Sequence, residues 1–166
     1  MVPTAKQAAL EAAAFAHGFL VKIVDTFPAD KRTYQISRAD NHILWSLGHL
    51  ATTYEWLLSL LKEGGQKLPA EYQALFGSKS EPNPDVKAYP GYDQLRKDLD
   101  HSYDALIAAF QATSDADLAK PTLSDTGGFV PTRLGALTVV TWHDGWHSGQ
   151  LSTLRRSLGL PSVFGA

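Results

Sequence analysis

The sequence predicts an all-α fold, a four-helix bundle with a long connection between helices 2 and 3. Four segments repeat apolar residues every three or four positions, which is typical of helices with one buried face. No segment alternates apolar and polar residues as a strand would, and no internal repeat occurs. Together these observations favour a bundle, and the length of 166 residues predicts one domain covering residues 1–166.

The first and fourth helices have recognisable ends. Thr4 is a candidate N-cap, and the Phe-Pro pair at residues 27–28 ends the first helix at about Thr26. The fourth helix is predicted to begin at residues 131–132, a Pro-Thr pair, and to end at the Gly-Leu-Pro of residues 159–161.

The second and third helices are separated by a long segment rich in proline and glycine. Ser37 followed by Asp40 resembles a capping box and predicts the start of the second helix, which ends at the glycine pair 64–65. The third helix is predicted at about residues 91–113. Residues 66–90 contain too many helix breakers for more than a turn or two of regular structure. This connection either crosses over the bundle or covers one of its ends.

Composition excludes several classes of function. The chain has no cysteine, so it forms no disulfide, thiolate zinc site or iron–sulfur cluster and has no cysteine nucleophile. Its 15 Lys and Arg against 17 Asp and Glu give no basic surface for nucleic acid or an anionic membrane. No signal peptide is recognised, and no uninterrupted apolar stretch approaches the ~20 residues of a membrane span. We expect a cytoplasmic protein without nucleic-acid or membrane partners.

Two histidines of the fourth helix share a face that should be buried. His143 and His147 are four residues apart, so their side chains lie one turn apart. His49 lies on an apolar stripe of the second helix, and inward-facing groups of different helices converge in a bundle. Three neutral imidazoles bind a divalent ion and leave a coordination position open. The apolar residues that share the stripe of the fourth helix are Ala136, Val140, Leu151, Leu154 and Leu158.

The histidine pattern also has a purely structural explanation. Buried imidazoles can be satisfied by carbonyls, hydroxyls or one another, and an HxxxH pair arises easily by chance. Residue 144 is Asp rather than Glu, so the HExxH pattern of many zinc proteases is absent. His17 is interpreted as a core or interface residue, with a role in the site as the alternative. His42 is interpreted as a partly exposed structural residue, with a role as an alternative or outer ligand left open, and His101 as solvent-facing.

Two motifs carry a family resemblance, WSLGHL at residues 45–50 and HDGWHSGQL at residues 143–151. With the flanking segments at residues 41–45 and 154–161, they resemble the DinB-like superfamily of metal-binding four-helix bundles, which is related to thiol-dependent S-transferases. The order and lengths of the helices and the long middle connection agree with this resemblance.

The resemblance implies a divalent metal ion, with zinc or nickel ahead of iron or manganese. By matching position, its ligands are His49, His143 and His147. The resemblance also implies a homodimer. Residue 148 is Ser where many relatives have Arg, so any contact that this Arg makes with an anion is absent here.

Residues near the three histidines have further expected roles. Gln150 is expected either to hydrogen-bond a metal-bound water or to pack between helices. Of the tryptophans near the motifs, Trp45 is expected to line a pocket because it is one turn from His49, whereas Trp142 and Trp146 are expected to be core or interface residues. The arginines of the fourth helix are expected to be solvated: Arg133, Arg155 and Arg156.

The leading functional hypothesis is a metal-dependent enzyme that activates a bound water or an external low-molecular-weight thiol, of the S-transferase or hydrolase type. Its partners would be a thiol and an electrophile, and any thiol must come from outside because the chain has no cysteine. No catalytic residue or general base is identified beyond the ligands. The alternative is a non-catalytic metal-binding or stress-associated dimeric protein. A solvent-connected pocket between the second and fourth helices would favour the enzyme.

Overall fold

The computed structural model describes residues 2–64 and 68–164, and in them the predicted all-α bundle is confirmed. Four of the helices are long and two are short. No strand occurs in these residues beyond one isolated antiparallel bridge between Pro121 and Thr132. In chain order the helices are α1 (Ala5–Asp25), α2 (Ile43–Leu61), α3 (Tyr72–Phe76), α4 (Tyr92–Ala112), α5 (Asp115–Leu118) and α6 (Arg133–Ser157).

The predicted ends of α1 and α6 are confirmed. The Thr4 hydroxyl accepts a hydrogen bond from the Gln7 amide, and the Gln7 side chain accepts one from the Thr4 amide, which together make a full capping box. The Thr132 hydroxyl caps α6 through the amide of Gly135 at 3.2 Å. Gly159 follows α6 with a φ of 71°, the left-handed conformation that glycine adopts most easily.

The predicted start of α2 is wrong, because Ser37 and Asp40 form a turn outside the helix. The Asp40 carboxylate accepts a hydrogen bond from the Ser37 amide at 2.6 Å. A capping box contains the same hydrogen bond, but here no helix follows Ser37 directly. The helix begins instead at Ile43, where Nδ1 of His42 accepts a hydrogen bond from the Trp45 amide. At the other end, α2 stops at Leu61, a few residues before the predicted glycine pair.

The four long helices pack as two close pairs. α1 lies mainly against α6, and α2 lies mainly against α4 and also meets α6. The core between them is apolar and closely filled, with fully buried side chains that include Leu20, Leu57, Leu99 and Phe110. The contact of α2 with α6 brings the motif histidines of these two helices together.

The long connection folds back onto α2 through α3. The ring of Phe76, in α3, is fully buried against α2 at Gly48. A Cβ atom at Gly48 would lie 2.5 Å from three atoms of this ring, so only glycine allows the approach. Apart from α3, the described part of the connection contains only one short 3₁₀ turn, at residues 86–88, as its many proline and glycine residues predict.

Arg155 is buried, which corrects the expectation that it is solvated. Its guanidinium donates hydrogen bonds to the carbonyl and hydroxyl oxygens of Thr26 and to the carbonyl oxygen of Pro161, all at 3.0–3.1 Å. These acceptors replace the water that the buried charge has lost. Arg155 thereby connects the end of α1 to the chain that follows α6.

α1 has the length and composition of a membrane span, with a mean hydropathy of 1.2 over 18 residues. Core helices of soluble proteins and signal sequences have the same properties. In this structure α1 packs against α6 and buries Ala13, Leu20, Ile23 and Val24. The expected absence of a membrane partner stays a prediction.

Candidate metal centre

Three histidines from α2 and α6 meet at one point, as the sequence predicts. The Nε2 atom of His143 lies 3.2 Å from Nε2 of His49 and 3.2 Å from Nε2 of His147. One ring nitrogen of each residue lies within 4.8 Å of the other two. The helical periodicity accounts for this convergence, because each side chain projects from the face on which its helix packs. That the cluster binds a metal stays a prediction.

The ring of His49 is held in a defined orientation. Its Nδ1 lies 2.8 Å from the carbonyl oxygen of Phe76, which only accepts hydrogen bonds, so Nδ1 carries the proton and Nε2 presents a lone pair to the other histidines. The indole of Trp45 stacks on the same imidazole with 4.5 Å between ring centroids. The indole N–H in turn donates to Ser80 Oγ at 2.9 Å, and Ser80 donates to the carbonyl of Gly77. α3 and the segment after it therefore orient His49.

Burial keeps all three imidazoles uncharged at neutral pH. Loss of hydration, with a smaller effect of His49, lowers the pKa of His143 to about 4. Burial, followed by the neighbouring histidines, lowers the pKa of His147 to about 2, although the nearby Gln150 side chain acts in the opposite direction. Burial also lowers the pKa of His49. Neutral imidazole is the form that binds metal ions, so metal binding requires no deprotonation of the cluster at pH 7.

The geometry of the cluster fits a divalent cation. Tetrahedral zinc with Zn–N bonds of about 2.0–2.1 Å requires nitrogens about 3.3 Å apart, and two of the separations here are 3.2 Å. Without a cation, a proton on His143 Nε2 would be shared between two lone pairs, and a proton on His147 Nε2 instead would leave the lone pairs of His49 and His143 facing each other at 3.2 Å. In addition, Nδ1 of His143 is buried without a hydrogen-bond partner in the described residues. Three imidazole nitrogens suit zinc and nickel and also accept iron.

A second buried polar cluster adjoins the histidines through Asp144. The Tyr54 hydroxyl donates to Asp144 Oδ1 at 2.6 Å, and His17 Nδ1 lies 3.1 Å from the Tyr54 oxygen and 3.4 Å from Asp144 Oδ2. The His17 ring stacks on Tyr103 with 3.6 Å between centroids. Burial raises the pKa of both Asp144 and Tyr54. These contacts fix the rotation of α6 against α1 and α2, immediately beside His143.

Sequence reasoning missed the Asp144 cluster, although a signal was present. Asp144 follows Val140 by four residues and precedes Leu151 by seven, so it lies on an apolar stripe of α6. A carboxylate at such a position needs a buried partner, and Tyr54 on α2 supplies it. His17 is a core residue, as predicted.

His42 and Gln150 do not contribute ring or amide atoms to the three-histidine contact. His42 is fully buried, which corrects its expected partial exposure, but its structural role is confirmed. Its Nδ1 accepts from the Trp45 amide and its Nε2 donates to the Asn83 carbonyl, so both ring nitrogens are engaged. Gln150 Oε1 accepts from the side chain of Asn41 at 3.2 Å, which supports its expected role in helix packing.

A chamber of about 400 Å³ opens beside the histidines. α2 and α6 line it with His49, Thr52, Thr53, Trp56, Val139, Trp142 and His143, and Phe129 and the end of α3 complete it. His147 lies behind this surface and is 3% exposed. A larger groove of about 700 Å³ is lined by α4 alone and includes no member of the cluster.

Trp45 does not line the chamber, which corrects the expectation for this residue. It is buried behind His49, whereas Trp56 and Trp142 stand at the chamber with 39% and 48% of their surfaces exposed. Helical spacing places Trp45 near His49 correctly. The chain after α3 then covers Trp45 through Ser80, a contact that spacing within α2 cannot predict.

Comparison with known proteins identifies the family to which the chain belongs. The family model of the DinB superfamily matches residues 15–151, which include all three histidines. No curated protein matches the sequence. The match covers well over half of the chain, and the helical bundle with its three-histidine cluster is compatible with a metal-binding protein. The chain therefore belongs to the DinB superfamily.

Proposed function

We propose that this protein is a metal-dependent enzyme in which His49, His143 and His147 hold one divalent cation, with zinc or nickel ahead of iron or manganese. The observation that carries the proposal is the convergence of three neutral imidazoles at 3.2 Å beside an open chamber. A divalent cation held there would act as a Lewis acid and lower the pKa of a bound water or thiol.

The residues of the chain would bind and orient the reactants. Phe76 and Trp45 hold the His49 ring so that its Nε2 faces the other two histidines. The chamber would hold the second reactant against the surface formed by His49 and His143. The described residues that line it include no Asp, Glu, Lys or Arg, and the sequence has no cysteine. Any thiol nucleophile of an S-transferase must therefore come from outside the chain, and in a hydrolase the nucleophile would be water.

The open chamber favours an enzyme over the alternative, a non-catalytic or stress-associated metal-binding protein. In a structural zinc site, protein side chains fill all coordination positions and close the site to solvent. Here two of the three histidines line a chamber with an exposed aromatic rim. We also propose a homodimer, a cytoplasmic location and a single domain, which rest on the sequence and the family resemblance.

Metal content tests the proposal directly. Untagged protein would be incubated with zinc, nickel, iron or manganese, freed of excess ion and analysed by plasma mass spectrometry. We expect about one ion per chain in the unaltered protein and a strong loss in His49→Ala, His143→Ala and His147→Ala. His101→Ala is the matched control, because His101 is an exposed histidine of α4 and should retain the ion. Unaltered protein that stays metal-free with all four ions would contradict the proposal.

Activity of the loaded protein separates the enzyme from the alternative. Zinc-loaded and nickel-loaded protein would be assayed for conjugation of glutathione or cysteine to 1-chloro-2,4-dinitrobenzene, and for hydrolysis of a p-nitrophenyl ester. We expect turnover in one of these reactions, with loss of it in His143→Ala and retention in His101→Ala. A bound metal without turnover of thiol or ester would favour the non-catalytic protein.

A further inference from the structure

We infer that the chamber beside the histidines binds an uncharged, planar aromatic group of the reactant. The inference rests on the proposed function, because that function requires a second reactant next to the histidine cluster. Three features of the chamber carry it: aromatic walls, a turn that presents one of those walls, and a lining without charge. A volume of about 400 Å³ lies within the range of small-molecule sites and accommodates a ring system of one or two rings.

Three aromatic side chains stand around the chamber, and Phe129 lies next to the other two. The ring of Phe129 lies 6.5 Å from that of Trp56, with 24° between their planes. It also lies 6.2 Å from Trp142, in an edge-to-face arrangement at 74°. These separations and angles are those at which aromatic rings attract one another. A flat ligand ring could stack on one of these side chains and make an edge-to-face contact with another. All three side chains are more than a third exposed, so a ligand would bury apolar surface that now faces water.

Phe129 follows a tight turn that leaves its ring exposed at the rim of the chamber. Gly127 and Gly128 both have positive φ, 62° and 83°, which other residues adopt only with strain. The Thr126 hydroxyl closes the turn by accepting from the Val130 amide at 2.9 Å. Phe129 remains 58% exposed although Val130, the next residue, is buried. The backbone thus places an apolar ring at the chamber rim, where an apolar ligand would cover it.

The lining of the chamber selects against charge. Apart from the two histidines, its polar side chains are neutral, because Thr52, Thr53, Gln73 and Ser78 carry hydroxyl or amide groups. A carboxylate or sulfonate on the aromatic group would lose hydration in the chamber, and no lysine or arginine among the described lining residues would replace it. The aromatic group that packs among Trp56, Phe129 and Trp142 is therefore uncharged, and any anionic group of the reactant would lie at the histidine cluster, beside the proposed cation.

The experiment compares two ligands that share a naphthalene ring and differ in their polar substituent, the neutral 2-naphthalenemethanol and the anionic 2-naphthoate, by isothermal titration calorimetry. Metal-free, chelator-treated protein is used first, so that no cation contributes to binding. We expect the neutral alcohol to bind at one site and the carboxylate to bind at least about tenfold more weakly. Trp142→Ala should weaken binding of the alcohol by about tenfold. Phe15→Ala is the control, because Phe15 is an exposed aromatic residue of α1 outside the chamber.

Two results would overturn the inference: equal affinity for the two ligands in the metal-free protein, or the same affinity for the alcohol in Trp142→Ala and Phe15→Ala. Circular dichroism would verify that both variants are folded. The zinc-loaded protein separates this inference from the proposed function. Zinc uptake without binding of the alcohol would overturn the inference alone, whereas binding of the alcohol by a protein that takes up no metal would overturn the metal site alone.

Discussion

The contact between α2 and α3 makes Gly48→Ala a sensitive test of how the histidine cluster is built. On an open helix face, replacing glycine with alanine stabilises a protein by about 1 kcal/mol. At Gly48 the new Cβ would lie 2.5 Å from three ring atoms of Phe76, which is fully buried. Overpacking of this kind costs about 1–3 kcal/mol. We expect the free energy of unfolding to fall by about 1–2 kcal/mol in spite of the better helix former.

The same substitution should weaken metal binding. Phe76 accepts the hydrogen bond from Nδ1 of His49, so a displaced α3 lengthens the contact that orients this ring. Loss of such an orienting contact typically reduces metal affinity by about 10–100-fold. We expect about a tenfold weaker affinity for zinc in Gly48→Ala, because the contact is distorted rather than removed.

Gly18→Ala is the matched control for this prediction. Gly18 lies in the middle of α1 on an exposed face, and a Cβ added there would meet no atom within 4 Å. This variant should be stabilised by about 1 kcal/mol, which corresponds to a rise in melting temperature of about 2–4 °C. Urea unfolding of the metal-free proteins by circular dichroism, followed by zinc titration, measures both effects. A Gly48→Ala protein as stable as Gly18→Ala would refute the packing argument.

Three further predictions concern buried polar groups. Because His143 has a pKa of about 4 in the folded protein and about 6.5 when unfolded, this residue alone should cost the metal-free protein about 2 kcal/mol of stability between pH 7 and pH 5, and His143→Asn should lose less over that range than the unaltered protein; urea midpoints at the two pH values measure this. Tyr54→Phe removes the donor to Asp144 and should lower the free energy of unfolding by about 1–3 kcal/mol in urea titrations, and an unchanged value would contradict the buried hydrogen bond. Arg155→Met leaves the carbonyls after α1 and α6 without their donor and should cost about 1–3 kcal/mol in thermal unfolding, whereas Arg156→Met, at an exposed position, should cost little.

Local sequence signals predicted most of the helix ends, and the exception has a physical cause. Thr4, Thr132 and Gly159 act within one turn of their own position, so the sequence contains the whole signal. Ser37 and Asp40 make the same hydrogen bond in a turn as they would at a helix start. The cap of α2 comes from a histidine that is buried by a distant part of the chain, and no local pattern predicts that.

For the candidate site, too, the sequence predicted the features that depend on one helix and missed those that depend on distant segments. The 3.6-residue period predicts which faces of α2 and α6 are buried, and therefore the meeting of His49, His143 and His147. It does not predict what covers those faces. The burial of Trp45 behind Ser80 and the approach of Phe129 to the chamber depend on chain segments far away in the sequence.

The stacking of Trp45 on His49 gives the protein an internal optical probe. An indole shielded from water emits at shorter wavelength than exposed indoles, and Trp45 is 5% exposed whereas Trp56, Trp142 and Trp146 are 39–55% exposed. The blue edge of the emission spectrum therefore reports mainly on the ring that touches the histidine cluster, and the red edge on the rings that face solvent. Occupation of the cluster and filling of the chamber can thus be followed separately, without a label, in one emission spectrum of the unaltered protein.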